Sequence, residues 1–142
     1  MHSKLCVCLL TVVVGFLTLT NPVAADAAMS RCDVKANAPQ REGADGPTTL
    51  YFEGWLACDS AILPETFNNT VCLQVKTATG RFVDIWCCKV PRTTVDSTPW
   101  LMCGEPGPAI NGTQRYRTRA RAFRPATGSG ETDYSPAVTF AT

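Results

Sequence analysis

The chain has 142 residues, eight cysteines and a formal net charge of +1. That length suits one domain, and the near-balanced charge argues against a general nucleic-acid binder, which carries a clear basic excess. The sole histidine is His2, ahead of the leading apolar stretch; the expected mature chain therefore has no Ser-His-Asp or Cys-His nucleophile, no histidine zinc site and no histidine pH switch.

Lys4 precedes a nearly unbroken apolar run, Leu5 to Leu19, and Asn21-Pro22 ends it. Ala25-Asp26-Ala27 has the small-x-small form of a cleavage site, with Val23-Ala24-Ala25 as an earlier alternative. The run falls short of the roughly 20 residues that span a bilayer, so 1–27 is expected to be a signal peptide. The mature domain is then 28–142, secreted and extracellular, with no stable membrane association after cleavage. Six cysteines remain in it: Cys32, Cys58, Cys72, Cys87, Cys88 and Cys103. Their even number in an exported chain predicts three disulfides. Without a C-x-x-C pair or a histidine, neither a metal site nor a redox motif fits the spacing, and no cofactor is implied.

Short alternating runs separated by Gly, Pro, Asn and Asp clusters predict an all-β fold. The expected strands are Arg31–Ala36, Thr49–Cys58, Val71–Thr77, Arg81–Lys89, Trp100–Cys103, Gln114–Phe123 and Ala137–Ala141. A polar loop through Pro39, Gly43 and Pro47 joins the first two. Ala61–Asn69 reads as a loop, Pro91–Ser97 as a connection, and Glu105-Pro106-Gly107-Pro108 as a turn. The final pair is separated by Gly128-Ser129-Gly130. About seven strands in one antiparallel β-sandwich is the predicted architecture.

The third and fourth strands can be set in register. Pairing Val75 with Val83 and Leu73 with Ile85 keeps both apolar sets inward, and leaves Ala78-Thr79-Gly80 as a three-residue loop with glycine at its left-handed position. On that register Cys87 points inward, while Cys88 and Trp86 point outward. Cys72 then lies diagonal to Cys88, and Cys87 is left for Cys103. A hairpin of the first two strands puts Cys32 opposite Cys58. The expected pairs are Cys32–Cys58, Cys72–Cys88 and Cys87–Cys103.

Thr113-Gln114-Arg115-Tyr116-Arg117-Thr118-Arg119-Ala120-Arg121-Ala122, a glycine-rich turn and Tyr134-Ser135-Pro136-Ala137-Val138 follow in the last third. This resembles the last two strands of fibronectin type III domains and, more broadly, immunoglobulin-like sandwiches. The resemblance implies that Tyr116 packs at a corner between two sheets and that Trp55 is the core tryptophan. The cysteines depart from the fibronectin type III pattern, and no cysteine of Gln114–Phe123 supplies the immunoglobulin cystine. The chain also resembles small, exported, cysteine-stapled actinobacterial proteins of unknown function. Neither resemblance implies an activity, because this fold hosts many functions.

Arg115, Arg117, Arg119 and Arg121 alternate along one strand and so share one face. Two readings stand: an anion-binding stripe, since guanidinium forks suit carboxylate, sulfate and phosphate, or a solvated face whose arginines stack on aromatics and pair with acids. Trp86, Asp84 and Glu131 are the expected neighbours, and Trp86 is a candidate ligand-binding residue. Glu53, Asp59, Glu65, Asp84, Asp96 and Glu105 are scattered, and nothing in their spacing sets two carboxylates across a cleft. Asn68-Asn69-Thr70 and Asn111-Gly112-Thr113 are glycosylation acceptors in a eukaryotic host. The expected function is a non-catalytic recognition module for an extracellular protein or an anionic glycan. The alternatives are a secreted inhibitor or toxin-like effector working through Asp59–Asn69, and, further off, a small hydrolase.

Overall fold

A computed structural model describes residues 31–41 and 49–141. The expected signal peptide, 1–27, and residues 42–48 of the polar loop lie outside the described residues. The elements are β1 (Cys32–Ala36), β2 (Gln40–Arg41), β3 (Thr49–Cys58), a 3-10 turn (Ser60–Ile62), β4 (Glu65–Lys76), β5 (Phe82–Val95), β6 (Trp100–Pro108), β7 (Thr113–Arg124), β8 (Ser129–Tyr134) and β9 (Val138–Ala141).

They form two antiparallel sheets. In the first, β3 pairs with β6 on one side and with β1 and β2 on the other. In the second the order is β5-β4-β7, with β8 and β9 sharing the far side of β7. Because β1/β2 and β8/β9 are each one interrupted ribbon, the nine strands make seven ribbons, three in one sheet and four in the other. The all-β sandwich with three disulfides stands.

Strict alternation builds the core. Leu50, Phe52 and Leu56 of β3 and Met102 of β6 are buried against Phe67, Val71, Leu73 and Val75 of β4 and Tyr116, Ala120 and Ala122 of β7. The sheets approach closely at Gly54, where an added Cβ would lie 2.8 Å from the Ala120 Cβ and 2.9 Å from a Val71 methyl. Tyr116 is fully buried, and its hydroxyl accepts from the Ile110 N–H at 2.7 Å, tying the β6–β7 connection to the core. The same alternation corrects Trp55. With Leu50, Phe52, Gly54 and Leu56 inward, Trp55 faces out, opposite Lys35 and Leu101, and Phe52 fills the core instead.

The β4–β5 hairpin carries the main departure from expectation. Val75 does pair with Val83, and Gly80 has φ +86° in the turn, as expected. Two residues later, past the regular Gln74–Asp84 pair, Ile85 bulges, so Leu73 faces Trp86 rather than Ile85. A one-residue bulge reverses the parity of the residues beyond it, up to the next bulge. Cys87 therefore comes opposite Cys72 on the outer face, and Cys88 comes opposite Val71 on the inner face. The disulfides are Cys32–Cys58, as expected, and Cys72–Cys87 and Cys88–Cys103, which replace the expected Cys72–Cys88 and Cys87–Cys103. The first two staple neighbouring strands; Cys88–Cys103 joins β5 of one sheet to β6 of the other. Three such bonds are typical of proteins from oxidising compartments.

Five stretches read as loop or turn are strand among the described residues: β2 within the polar loop, β8 in the glycine-rich separation, and three extensions of expected strands. β4 begins at Glu65, β5 continues through Pro91 to Val95, and β6 continues to Pro108. Both β5 and β6 are edge strands, where a proline need not break a ladder. β8 escapes a hydrophobic reading because its core-side positions, Ser129, Glu131 and Asp133, are polar. Asp133 accepts the Ala36 N–H at 2.9 Å, so these acids face the edge of β1.

Candidate functional site

The outer face of the second sheet is set by register. Arg121, Arg119 and Arg117 stand opposite Thr70, Cys72 and Gln74 of β4, which stand opposite Lys89, Cys87 and Asp84 of β5. On the other flank, Arg121 and Arg119 face Thr132 and Tyr134, and Arg115 faces Thr139. The alternation of β7 thus puts all four arginines on one face, as the sequence implies. Among the described residues, Lys76, Lys89 and the four arginines share this face with a single carboxylate, Asp84.

The two central arginines are fixed. The Arg117 guanidinium lies between two rings, 4.1 Å from the Phe82 centroid and 4.2 Å from that of Tyr134. Its Nε donates to Gln74 Oε1 at 2.7 Å, and Gln74 Nε2 donates to Asp84 Oδ1 at 2.7 Å. Arg119 pairs with the other Asp84 oxygen at 2.6 Å and also donates to Cys72 Sγ at 3.3 Å. Cation–π contacts and shared carboxylates of this kind hold guanidinium planes in place.

The two outer arginines differ. Arg115 and Arg121 are exposed, and among the described residues neither guanidinium has a hydrogen bond or ion pair. Arg121 sits 6.0 Å from the Phe123 centroid and lines a concavity of about 250 Å³ with Asn68, Thr70 and Phe123. Asn68 Oδ1 accepts the N–H of Arg92 at 2.8 Å, where β5 bulges and Arg92 takes φ +47°. Exposed Lys89 flanks Thr70 across the hairpin.

Trp86 is not part of this face. The Ile85 bulge puts it opposite Leu73 on the other side of β5, where its indole donates to Glu105 at 2.9 Å beside the inter-sheet disulfide. It remains 49 % exposed, at the open edge between β5 and β6. Of the expected neighbours, Asp84 meets the arginines. Glu131 lies opposite Ala122 on the core side, where burial, then Asp33 and Asp133, raise its pKa against the lowering effect of the Val34 N–H. Phe82, Gln74 and Tyr134 were missed as arginine partners, because only cross-strand register brings them together.

A second concavity, about 400 Å³, surrounds the Cys32–Cys58 bond and is lined by Arg31, Asp33, Ala57 and Asp59. Asp59 is committed to capping the 3-10 turn through the Ala61 N–H at 2.9 Å. Two groupings of cysteine with a carboxylate, Cys72-Asp84-Cys87 and Cys88-Cys103-Glu105, contain only disulfide sulfurs, which are not thiolate ligands. Asn111, in the second acceptor sequence, is exposed in the turn before β7. Compared with family models, with curated proteins and with solved structures, the chain matches none of them.

Proposed function

We propose that this chain is a secreted, non-catalytic recognition module, built as a fibronectin type III-like sandwich, that binds an anionic ligand through the outer face of its second sheet. The observation that carries the reading is the charge of that face: six cations against Asp84, with Arg115 and Arg121 exposed and their guanidinium groups in no hydrogen bond or ion pair among the described residues. Arg117 and Arg119, held by Phe82, Tyr134, Gln74 and Asp84, keep the face flat and charged without reorganising. Pre-ordered charge of one sign attracts an oppositely charged ligand at little ordering cost. The fold assignment is supported by the three-plus-four ribbon arrangement and by the buried Tyr116, whose hydroxyl meets the Ile110 backbone. The loop on which an inhibitor would rely is only the short connection from Asp59 to Pro64, because β4 begins at Glu65.

The test is heparin affinity chromatography of the oxidised protein and of the double variant Arg115→Gln/Arg121→Gln. Retention should weaken with salt, since exposed charges are screened beyond about 8 Å at physiological ionic strength. The double variant should elute markedly earlier with an unchanged melting temperature. Equal elution of the two proteins would refute the reading.

A further inference from the structure

We infer that the concavity at Arg121 is a subsite for one anionic sugar residue, a uronate or a sulfated pyranose, at one end of the charged face. The inference rests on the anion-binding reading above and deepens it.

The rest of the face is engaged with itself. Arg117 donates through Nε to Gln74, and one terminal nitrogen of Arg119 donates to both Asp84 and Cys72. Arg115 is free but flanks no concavity that the structure describes. Arg121 combines an unpaired guanidinium with a recess of about 250 Å³. The lining is chemically mixed in a way that suits a sugar rather than a bare ion. Phe123 offers a half-buried ring on which a pyranose can lie, Thr70 a hydroxyl, Asn68 an amide, and Arg121 a fork for carboxylate or sulfate. Asn68 is held in place, since its carbonyl oxygen receives the Arg92 N–H. Its NH₂ group is left to donate. Lys89 stands beside Thr70 across the hairpin and adds a second cation at the rim. No carboxylate lies on the outer face near this end, because Asp84 is two pairs further along β4.

The consequence is a polarity along β7. Arg121 and Arg115 are six residues apart, about 20 Å at strand rise. A long chain would contact both arginines, whereas a disaccharide would distinguish them.

The experiment is a ¹⁵N–¹H NMR titration of the intact, oxidised protein with a sulfated, uronate-containing disaccharide, inorganic sulfate, glucose and a hexaglutamate peptide. The expected result is a set of saturable shifts at Asn68, Thr70, Arg121 and Phe123 with the disaccharide, weaker ones with sulfate and none with glucose. Arg121→Gln should weaken the disaccharide at least about tenfold, the loss expected for a charge-assisted hydrogen bond, and Arg115→Gln by less than about threefold. Thr70→Val, which keeps the charge and the strand, should also weaken it. Sulfate binding as tightly as the disaccharide, or hexaglutamate shifting the same residues more strongly, would overturn the sugar subsite. So would equal losses of disaccharide affinity from Arg121→Gln and Arg115→Gln while each variant elutes from heparin earlier than the unaltered protein, which leaves the charged face standing. Loss of heparin retention by neither variant would remove the underlying reading and the subsite with it.

Discussion

Arg117 is the arginine whose removal separates architecture from recognition. Its guanidinium is held between Phe82 and Tyr134 and donates to Gln74. Each ring contact contributes about 0.5–1 kcal/mol at a partly exposed site. The hydrogen bond from a charged donor contributes about 1.5 kcal/mol or more. Arg117→Ala should therefore cost about 2.5–3.5 kcal/mol, somewhat less if Phe82 and Tyr134 close on each other. For a domain of this size that is a fall in melting temperature of about 10–14 °C. Arg115→Ala, which breaks no contact of this kind, should stay within about 0.5 kcal/mol. The assay is thermal unfolding of both variants at equal salt, with a double cycle through Phe82→Leu to isolate the ring term. Near-additive losses from Arg117→Ala and Phe82→Leu, or a shift for Arg117→Ala no larger than that of Arg115→Ala, would refute the clamp.

Peptide mapping should recover Cys72 linked to Cys87 and Cys88 linked to Cys103, once partial reduction separates the adjacent pair; removing the inter-sheet bond with Cys88→Ala/Cys103→Ala should cost about 2–4 kcal/mol. The Asn69 amide is buried on the core side with no hydrogen-bond partner among the described residues, so Asn69→Leu should raise the melting temperature; a fall would show that the amide is satisfied after all. Gly54→Ala should destabilise by about 1–3 kcal/mol through overpacking against Ala120 and Val71, measured by urea titration. Because the pKa of Glu131 is raised, its ionised form opposes folding at neutral pH, and that opposition fades as pH falls through the raised pKa toward the ordinary 4.5. Glu131→Gln should thus raise the melting temperature at pH 7 and lose that advantage near pH 4; a gain that persists at pH 4 would show that the carboxylate charge is not its source.

The parts of the fold that were legible rest on uninterrupted alternation. In β3 from Leu50 to Leu56, and in β7 from Tyr116 to Ala122, every second residue is apolar or small, and neither strand bulges in its pairing with β1 or β4. Their faces could be read off directly. The arginine face follows from β7 alone, and the sequence sufficed for it. Edge strands were harder to read. β6 carries two prolines and a glycine that look like a turn, and only its place at the edge of the sheet makes them acceptable in a strand. β8 has carboxylates where a core-facing strand would have apolar side chains, because those positions face the N–H groups of β1. No local pattern announces such a role. The missed arginine partners, Phe82 and Tyr134, lie on two different strands that flank Arg117 from opposite sides.

One inserted residue accounts for the remaining errors. Had β5 paired regularly from Val83 onward, Leu73 would face Ile85, and Trp86 would join the arginines on the outer face. The bulge at Ile85 exchanges the two faces of the strand from Trp86 to Val90, as far as the second bulge at Arg92, and three consequences follow together. Cys87 turns outward and meets Cys72 beneath Arg119. Cys88 turns inward and reaches Cys103 across the gap between sheets. Trp86 leaves the arginines for Glu105 at the open edge. The bulge thus supplies the inter-sheet staple and clears the charged face of its bulkiest neighbour. Asp84, which precedes the bulge, keeps its place between Gln74 and Arg119. Phe82, Gln74 and Asp84, which order the arginine face together with Tyr134 of β8, therefore come from the regular part of the hairpin, and Cys88, which locks the sandwich through Cys103 of β6, comes from the part beyond the bulge.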